Sequence, residues 1–142
     1  MDARHAVIAL IVIGAALAAY GFFSSSSGGF DESRWYSFEE GMKIAKKNNK
    51  KVLVFVTLPA CVWCERMKQE TFSDGEVMER LEARYVPVLV DASIDPAVSK
   101  IAPLFGGDIS TPAFIIYSPD GEPLDGWVGY VTKDEFMRRV EI

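Results

Sequence analysis

Cys61-Val62-Trp63-Cys64 holds the only two cysteines of the chain. Their spacing puts both thiols on one helical turn, near enough to form a disulfide and near enough to break one in a partner. Upstream, Lys51-Val52-Leu53-Val54-Phe55-Val56-Thr57 is an apolar, β-branched run of strand length. Downstream, Cys64 to Gln69 carries good helix formers and no Gly or Pro. Cys61 therefore stands where a strand hands over to a helix. The backbone N–H groups of a helix N-terminus lack partners, and the helix dipole favours an anion there. A thiol at that place ionises more readily, and the thiolate is its reactive form.

Other chemistries fit these residues less well. A structural disulfide at this spacing closes a very short loop and gains little from loop entropy. A closed zinc site needs four ligands, and the chain has one histidine, His5, far away before an apolar segment. No metal ligand set is expected, and Met67 reads as a core residue rather than a ligand. Cu(I) needs only two thiolates, so a thiol metallochaperone stays open as an alternative. So does a binding or chaperone module with little redox turnover. Dithiol–disulfide exchange uses two thiols at this spacing and no cofactor beyond the Cys61–Cys64 pair.

The sequence places this motif outside the cytoplasm. Ala6 to Phe23 is 18 residues without a charge, about 27 Å as a helix, just enough to cross a bilayer core. Tyr20, Phe22 and Phe23 suit an interfacial aromatic belt. Arg4 precedes the segment and Asp31 and Glu32 follow it, so the positive-inside rule keeps the N-terminus in the cytoplasm and exports the rest. The rival is a signal peptide cut after Ala16-Leu17-Ala18, which would release a secreted or periplasmic protein. The apolar stretch runs past that site and the leader is weakly basic, which favours an uncleaved anchor. An extracytoplasmic face permits disulfides. A single close pair there suits traffic in disulfides better than stapling.

The expected organisation is an anchor over 1–23, a flexible Ser/Gly linker over 24–34 and one domain over 35–142. The chain is 49% hydrophobic with net charge −5, which argues against a sequence-blind nucleic-acid binder. Lys46, Lys47, Lys50 and Lys51 read as a solvated helix end.

Within the domain, Ser37-Phe38-Glu39-Glu40 is a capping box that opens a helix to about Lys47, ended by Asn48-Asn49. Strand Lys51 to Thr57 follows, then a helix from Cys61 to about Phe72. Ser73-Asp74-Gly75-Glu76 reads as a second capping box, for a helix to about Arg84. Tyr85 to Val90 is a strand interrupted by Pro87, closing at Asp91. Asp95-Pro96 starts a helix to about Phe105, broken near Pro103. Ala113 to Tyr117 and Leu124 to Val128 are strands joined by the turn Ser118-Pro119-Asp120-Gly121. Thr132 caps a last helix to the C-terminus. This order predicts an α/β fold, a mixed sheet with helices on both faces.

A CxxC opening the helix after a central strand, within this order, resembles the thioredoxin fold over roughly Trp35 to Ile142. Ser110-Thr111-Pro112-Ala113-Phe114-Ile115-Ile116-Tyr117 and Gly129 carry the resemblance further. The run Cys61-Val62-Trp63-Cys64-Glu65-Arg66-Met67-Lys68-Gln69-Glu70-Thr71-Phe72-Ser73-Asp74 resembles the subfamily that includes the C-terminal domain of membrane thiol-disulfide interchange proteins.

The resemblance implies a cis bond before Pro112, facing the dithiol. It implies that the backbone of Thr111 pairs with an extended substrate segment. It makes Cys61 the nucleophile and Cys64 the resolving thiol of a protein-disulfide reductase. The partners are then protein disulfide or dithiol substrates and an upstream thiol electron donor. Trp63 is expected to form apolar surface around the thiols, against the alternative of core packing, and Trp35 and Trp127 to be core or edge aromatics. Two departures stand out. Many thioredoxins bury an acid six residues before the first cysteine, where this chain has Phe55. The lysine that accompanies that acid aligns with Pro87. Proton transfer to Cys64 then falls to water, Glu65 or a group on the partner. Val-Trp between the cysteines replaces the Gly-Pro of ordinary thioredoxins.

Overall fold

Strand β1, Lys51–Thr57, is buried from Val52 to Thr57. Burial on both faces explains why its sequence is a continuous apolar run and not an alternation. β1 pairs in parallel with β2, Tyr85–Asp91, and antiparallel with β3, Ala113–Tyr117. β3 pairs antiparallel with β4, Pro123–Val128, giving a mixed sheet in the order β2-β1-β3-β4. This computed structural model describes residues 28–142. The expected membrane segment, Ala6 to Phe23, lies outside the described residues, as does the start of the spacer. Among the described residues no helix is long and apolar enough to cross a membrane.

Successive residues of β1 feed two cores. Leu53 and Phe55 join one side with Phe114 and Trp127, under α2 (Val62–Met67), α3 (Gly75–Arg84) and α5 (Lys133–Arg139). Val52, Val54 and Val56 join the other with Val86, Val88 and Val90. α1 (Phe38–Asn48) and α4 (Val98–Ile101) cover that side. Helices therefore flank both faces of the sheet. The caps follow sequence chemistry. Ser37 accepts the Glu40 N–H at the start of α1, and Asn49 closes it in the left-handed region at φ 52°. Thr132 accepts the Glu135 N–H at the start of α5.

Four details differ from the sequence expectation. Pro87 does not interrupt β2. Its carbonyl accepts the Tyr36 N–H on the outer side of the strand, so the position of its missing N–H also faces outward and the ladder to β1 runs through unbroken. The helix after Asp95 starts later, at Val98. The Asp95 carboxylate takes the Ala97 N–H as a cap would, but the backbone bonds that follow span three residues, from Val98 to Asp95, Ser99 to Pro96 and Lys100 to Ala97. Beyond Ile101 it tightens to a 3₁₀ segment, Ala102–Phe105, at Pro103. The cap of α3 is Asp74, which takes the N–H groups of Glu76 and Val77. Ser73 instead donates its hydroxyl to the Lys68 carbonyl and completes a π-helical turn, Lys68–Phe72, that prolongs α2.

The fourth difference concerns the spacer. The expected linker over 24–34 does not run free to its end. Phe30 sits on Trp35 at 5.8 Å, Asp31 caps a 3₁₀ turn Glu32–Arg34, and Arg34 pairs with Glu82 through two hydrogen bonds of 2.7 and 2.8 Å. An aromatic anchor and a forked ion pair hold this stretch to the domain.

α1 meets the sheet at Gly41, where an added Cβ would collide with Val88 Cγ2. Ala exceeds Gly in helix propensity by about 1 kcal/mol, but overpacking a closed contact costs about 1–3 kcal/mol. Gly41→Ala should therefore lower stability, read as a lower urea midpoint. A rise in the midpoint would mean that α1 lifts from the sheet without cost.

Asp74 joins α3 to α5 through Lys133 at 2.9 Å, and that ammonium, with the cap N–H groups, holds its carboxyl below the ordinary value. A carboxyl depressed in the folded state stabilises the fold above its unfolded pKa, and the effect is lost as pH falls through the folded value. Asp74→Asn keeps a capping acceptor and loses the charge. It should be less stable than the parent at neutral pH, by less than about 1 kcal/mol for so exposed a pair. The two unfolding curves should converge in acid; a gap that persists there would assign the effect to the cap alone.

Candidate functional site

The site begins where β1 ends. The turn Leu58–Cys61 closes with the Cys61 N–H on the Leu58 carbonyl, and Ala60 is held at φ 58°, a region that alanine seldom adopts. Cys61 is the N-cap of α2, in extended conformation. Its Sγ accepts the Cys64 N–H at 3.2 Å. The sulfur thus takes the place of a capping oxygen and faces the positive end of the helix. Cys61 is half-buried and Cys64 has 0% exposure. The two sulfurs are bonded, with the Cα atoms 5.2 Å apart.

A second loop closes on the first. Thr111 Oγ1 donates to Cys61 Sγ at 3.5 Å. The Thr111–Pro112 bond is cis and Pro112 is buried. The Pro112 carbonyl accepts the Gly129 N–H at 2.7 Å. Gly129 has φ 103°, a conformation that a side chain would strain. Cys61, Thr111, Pro112 and Gly129, from three loops at one end of the sheet, meet here with Cys64 of α2.

Trp63 does not enter the core. It is 50% exposed and lies against Tyr130, ring centroids 5.4 Å apart. Arg66 stands over both rings and is fixed by Glu70, whose other oxygen receives the Tyr130 hydroxyl. Those bonds, Tyr130 first and Arg66 second, hold the Glu70 carboxyl below its ordinary value, and the same hydroxyl bond raises the Tyr130 phenol. Sequence reading left Arg66, Glu70 and Tyr130 without a role. The i,i+4 spacing of Arg66 and Glu70 was visible, but nothing local joins them to Tyr130, 60 positions from Glu70.

Trp35 and Trp127 are both buried, Trp35 on Phe72 and Trp127 on Phe114. Met67 is fully buried in the same core. Phe55 stacks on Phe114 at 5.2 Å and 7°, so the position six before Cys61 belongs to packing. Glu65 is exposed and pairs with Lys68 at 3.3 Å. Among the described residues no group of three or more His, Cys, Asp or Glu is placed to hold a metal. A cleft of about 840 Å³ lies between Asp31, Arg34, Glu70, Asp74 and Lys133, and neither cysteine lines it. The arrangement offers a half-buried cysteine at a helix N-terminus with a sealed partner one turn behind it.

Comparison with known proteins agrees with this geometry. A family described as thioredoxin-like domain matches residues 38–141. An uncharacterized protein of Archaeoglobus fulgidus is 35% identical over 92 residues, 65% of this chain and 68% of that protein. Spermatogenesis-associated protein 20 of Rattus norvegicus is 29% identical over 109 residues; the match takes in 73% of this chain but spans only 14% of that longer protein. A thioredoxin from Thermus thermophilus superposes with TM-score 0.66 at 27% identity, over 76% of this chain and 84% of that one. The C-terminal domain of Neisseria meningitidis DsbD, in its reduced form, superposes with TM-score 0.57 over 72% of this chain and 90% of that domain. At 23% identity, that second likeness is one of fold.

Proposed function

The chain belongs to the thioredoxin-like domain family and carries a CxxC pair in that fold, and from this premise we propose that it is a protein-disulfide reductase tethered at the extracytoplasmic face of a membrane. The observation that carries the thiol–disulfide exchange is the half-buried Cys61 at the N-cap of α2, its sulfur hydrogen-bonded by Thr111, with Cys64 sealed one turn behind. In the reduced protein, the Cys61 thiolate attacks one sulfur of a substrate disulfide. That S–S bond breaks, its other sulfur leaves as a thiolate, and a mixed disulfide forms. Cys64 loses its proton and attacks Cys61. The Cys61–Cys64 bond forms, the mixed disulfide breaks, and the substrate departs as a dithiol, two electrons richer. An upstream dithiol returns two electrons to the pair by the same exchange in reverse. The redox centre is the cysteine pair, with no separate cofactor.

Thr111 meets the attacking sulfur through its hydroxyl, Pro112 follows it, and in this reading the Thr111 backbone pairs with an extended substrate segment. The reductase direction rests on the resemblance to interchange proteins, and the reduction potential of the pair tests it: a value near that of thioredoxin supports a reductase, a much higher one an oxidant or isomerase. Cys64→Ser should accumulate mixed disulfides with protein substrates, whereas Cys61→Ser should accumulate few. Equal trapping by both variants would refute the order of attack and resolution.

The membrane tether rests on the uncharged run Ala6 to Phe23, with Arg4 before it and Asp31 and Glu32 after it. Protease added to intact spheroplasts should digest the domain. Protection would place it in the cytoplasm, and a soluble form beginning near Ala19 would favour signal cleavage over anchoring.

A further inference from the structure

The group around Trp63 has no part in the exchange steps, yet its members are linked into one circuit of contacts next to the CxxC in sequence. Tyr130 donates its hydroxyl to Glu70 Oε2. Glu70 Oε1 accepts from Arg66 Nε at 3.0 Å and Nη2 at 2.8 Å. The guanidinium then lies 4.9 Å from the Tyr130 ring centre and 5.2 Å from that of Trp63. The two aromatic rings complete the circuit at 5.4 Å.

We propose that Tyr130, Glu70 and Arg66 are positioning residues that hold Trp63 as a recognition wall for a large apolar side chain next to the partner's disulfide. This rests on the reading of the dithiol as a protein-disulfide exchange site. An exposed indole on the first turn of a helix samples several rotamers. A ring neighbour tilted at 44° and a cation on its face confine it to one. The fold has no need of the circuit, because the core on that side closes through Phe55, Phe72, Phe114 and Phe136. Exposed ion pairs alone add little stability. What the circuit secures is the orientation of a side chain that stays half in solvent.

Charge decides what the wall accepts. Arg66 and Glu70 neutralise each other, so the wall presents apolar area without net charge. Val62, 70% exposed, extends that area beside Cys61. Tyr130 follows Gly129, whose N–H holds the Pro112 carbonyl. The wall and the loop bearing Thr111 and Pro112 are therefore built on one connection, and a partner lying along Thr111 meets Trp63 in a fixed relation. An aromatic or long aliphatic neighbour of the attacked cysteine fits; a short polar one leaves the indole wet.

The test uses the full chain in detergent, with dithiothreitol as the source of electrons. Two disulfide-linked peptides, alike except for Phe or Ser beside the cysteine, are compared by kcat and KM. The parent should favour the Phe peptide about fivefold, through KM rather than kcat, as expected for one aromatic contact. Tyr130→Phe removes only the hydroxyl and should bring the preference to within about twofold, the weight of one hydrogen bond. Arg66→Lys keeps the charge but loses the planar face, and should do the same. Combining Tyr130→Phe with Glu70→Gln should cost less than the sum of the two alone, because both act on one bonded group. Equal KM for the two peptides in the parent, or a preference that survives these variants, overturns the wall. Turnover of neither peptide refutes the exchange function itself. The wall is then judged by the NMR shift of the Trp63 indole N–H with peptides carrying Ser in place of Cys: a shift with the Phe peptide alone sustains it, and no shift with either overturns it.

Discussion

The exclusion of water from both faces of β1 is the constraint on which the other parts depend. A strand with apolar residues on both sides is not held in register by polarity, because a slip of one residue would still bury apolar groups. Shape does that work here. The face toward α1 carries only valines, Val52, Val54 and Val56, and the face toward α2 carries Leu53 and Phe55. α1 comes so close at Gly41 that an added Cβ would collide with Val88, so this contact leaves no room for a larger side chain. The register fixes the end of the strand, the end of the strand fixes the turn at Ala60, and the turn delivers Cys61 to the N-terminus of α2.

From there the chemistry follows from hydrogen-bond geometry. A sulfur in the N-cap position is stabilised as an anion by an N–H that has no other partner. The residue behind it, Cys64, is fully buried. Phe55 lies under this helix in an aromatic cluster with Phe72 and Phe114. A carboxylate in the same place would be surrounded by hydrocarbon and would need a partner that Pro87 does not supply. Core packing and proton relay compete for one position, and in this chain packing holds it.

Local signals carried much of this in the sequence. The strand limits of β1 and β3, the Ser37 and Thr132 caps, the Asn49 terminus and the turn at the CxxC all follow from runs of fewer than a dozen residues. The grouping of Thr111, Pro112 and Gly129 with the cysteines came from resemblance, since those residues lie about 50 positions or more away and no local rule brings them together. Three things were hidden. Proline in a strand is read as a break unless the side on which its missing N–H falls is known, and that depends on Tyr36. Ser73 and Asp74 both qualify as caps, and only the π-helical turn decides which one is used. The bond between Tyr130 and Glu70 is a product of tertiary closure, and its members look like ordinary surface residues when read one at a time.

Pro87 has a further consequence, for how copies of the protein meet. An exposed strand edge is a template onto which another chain can zip, the usual start of fibre growth. On one side of this sheet β2 meets Tyr36 and then shows a gap in the donor row at Pro87. On the other side β4 has no strand beyond it among the described residues, but it opens with Pro123, carries Asp125, and sits across a register shift at Ile116/Tyr117. Both borders lack the smooth, uncharged row of donors and acceptors that templating requires. Neither border offers a second copy a ready strand to extend.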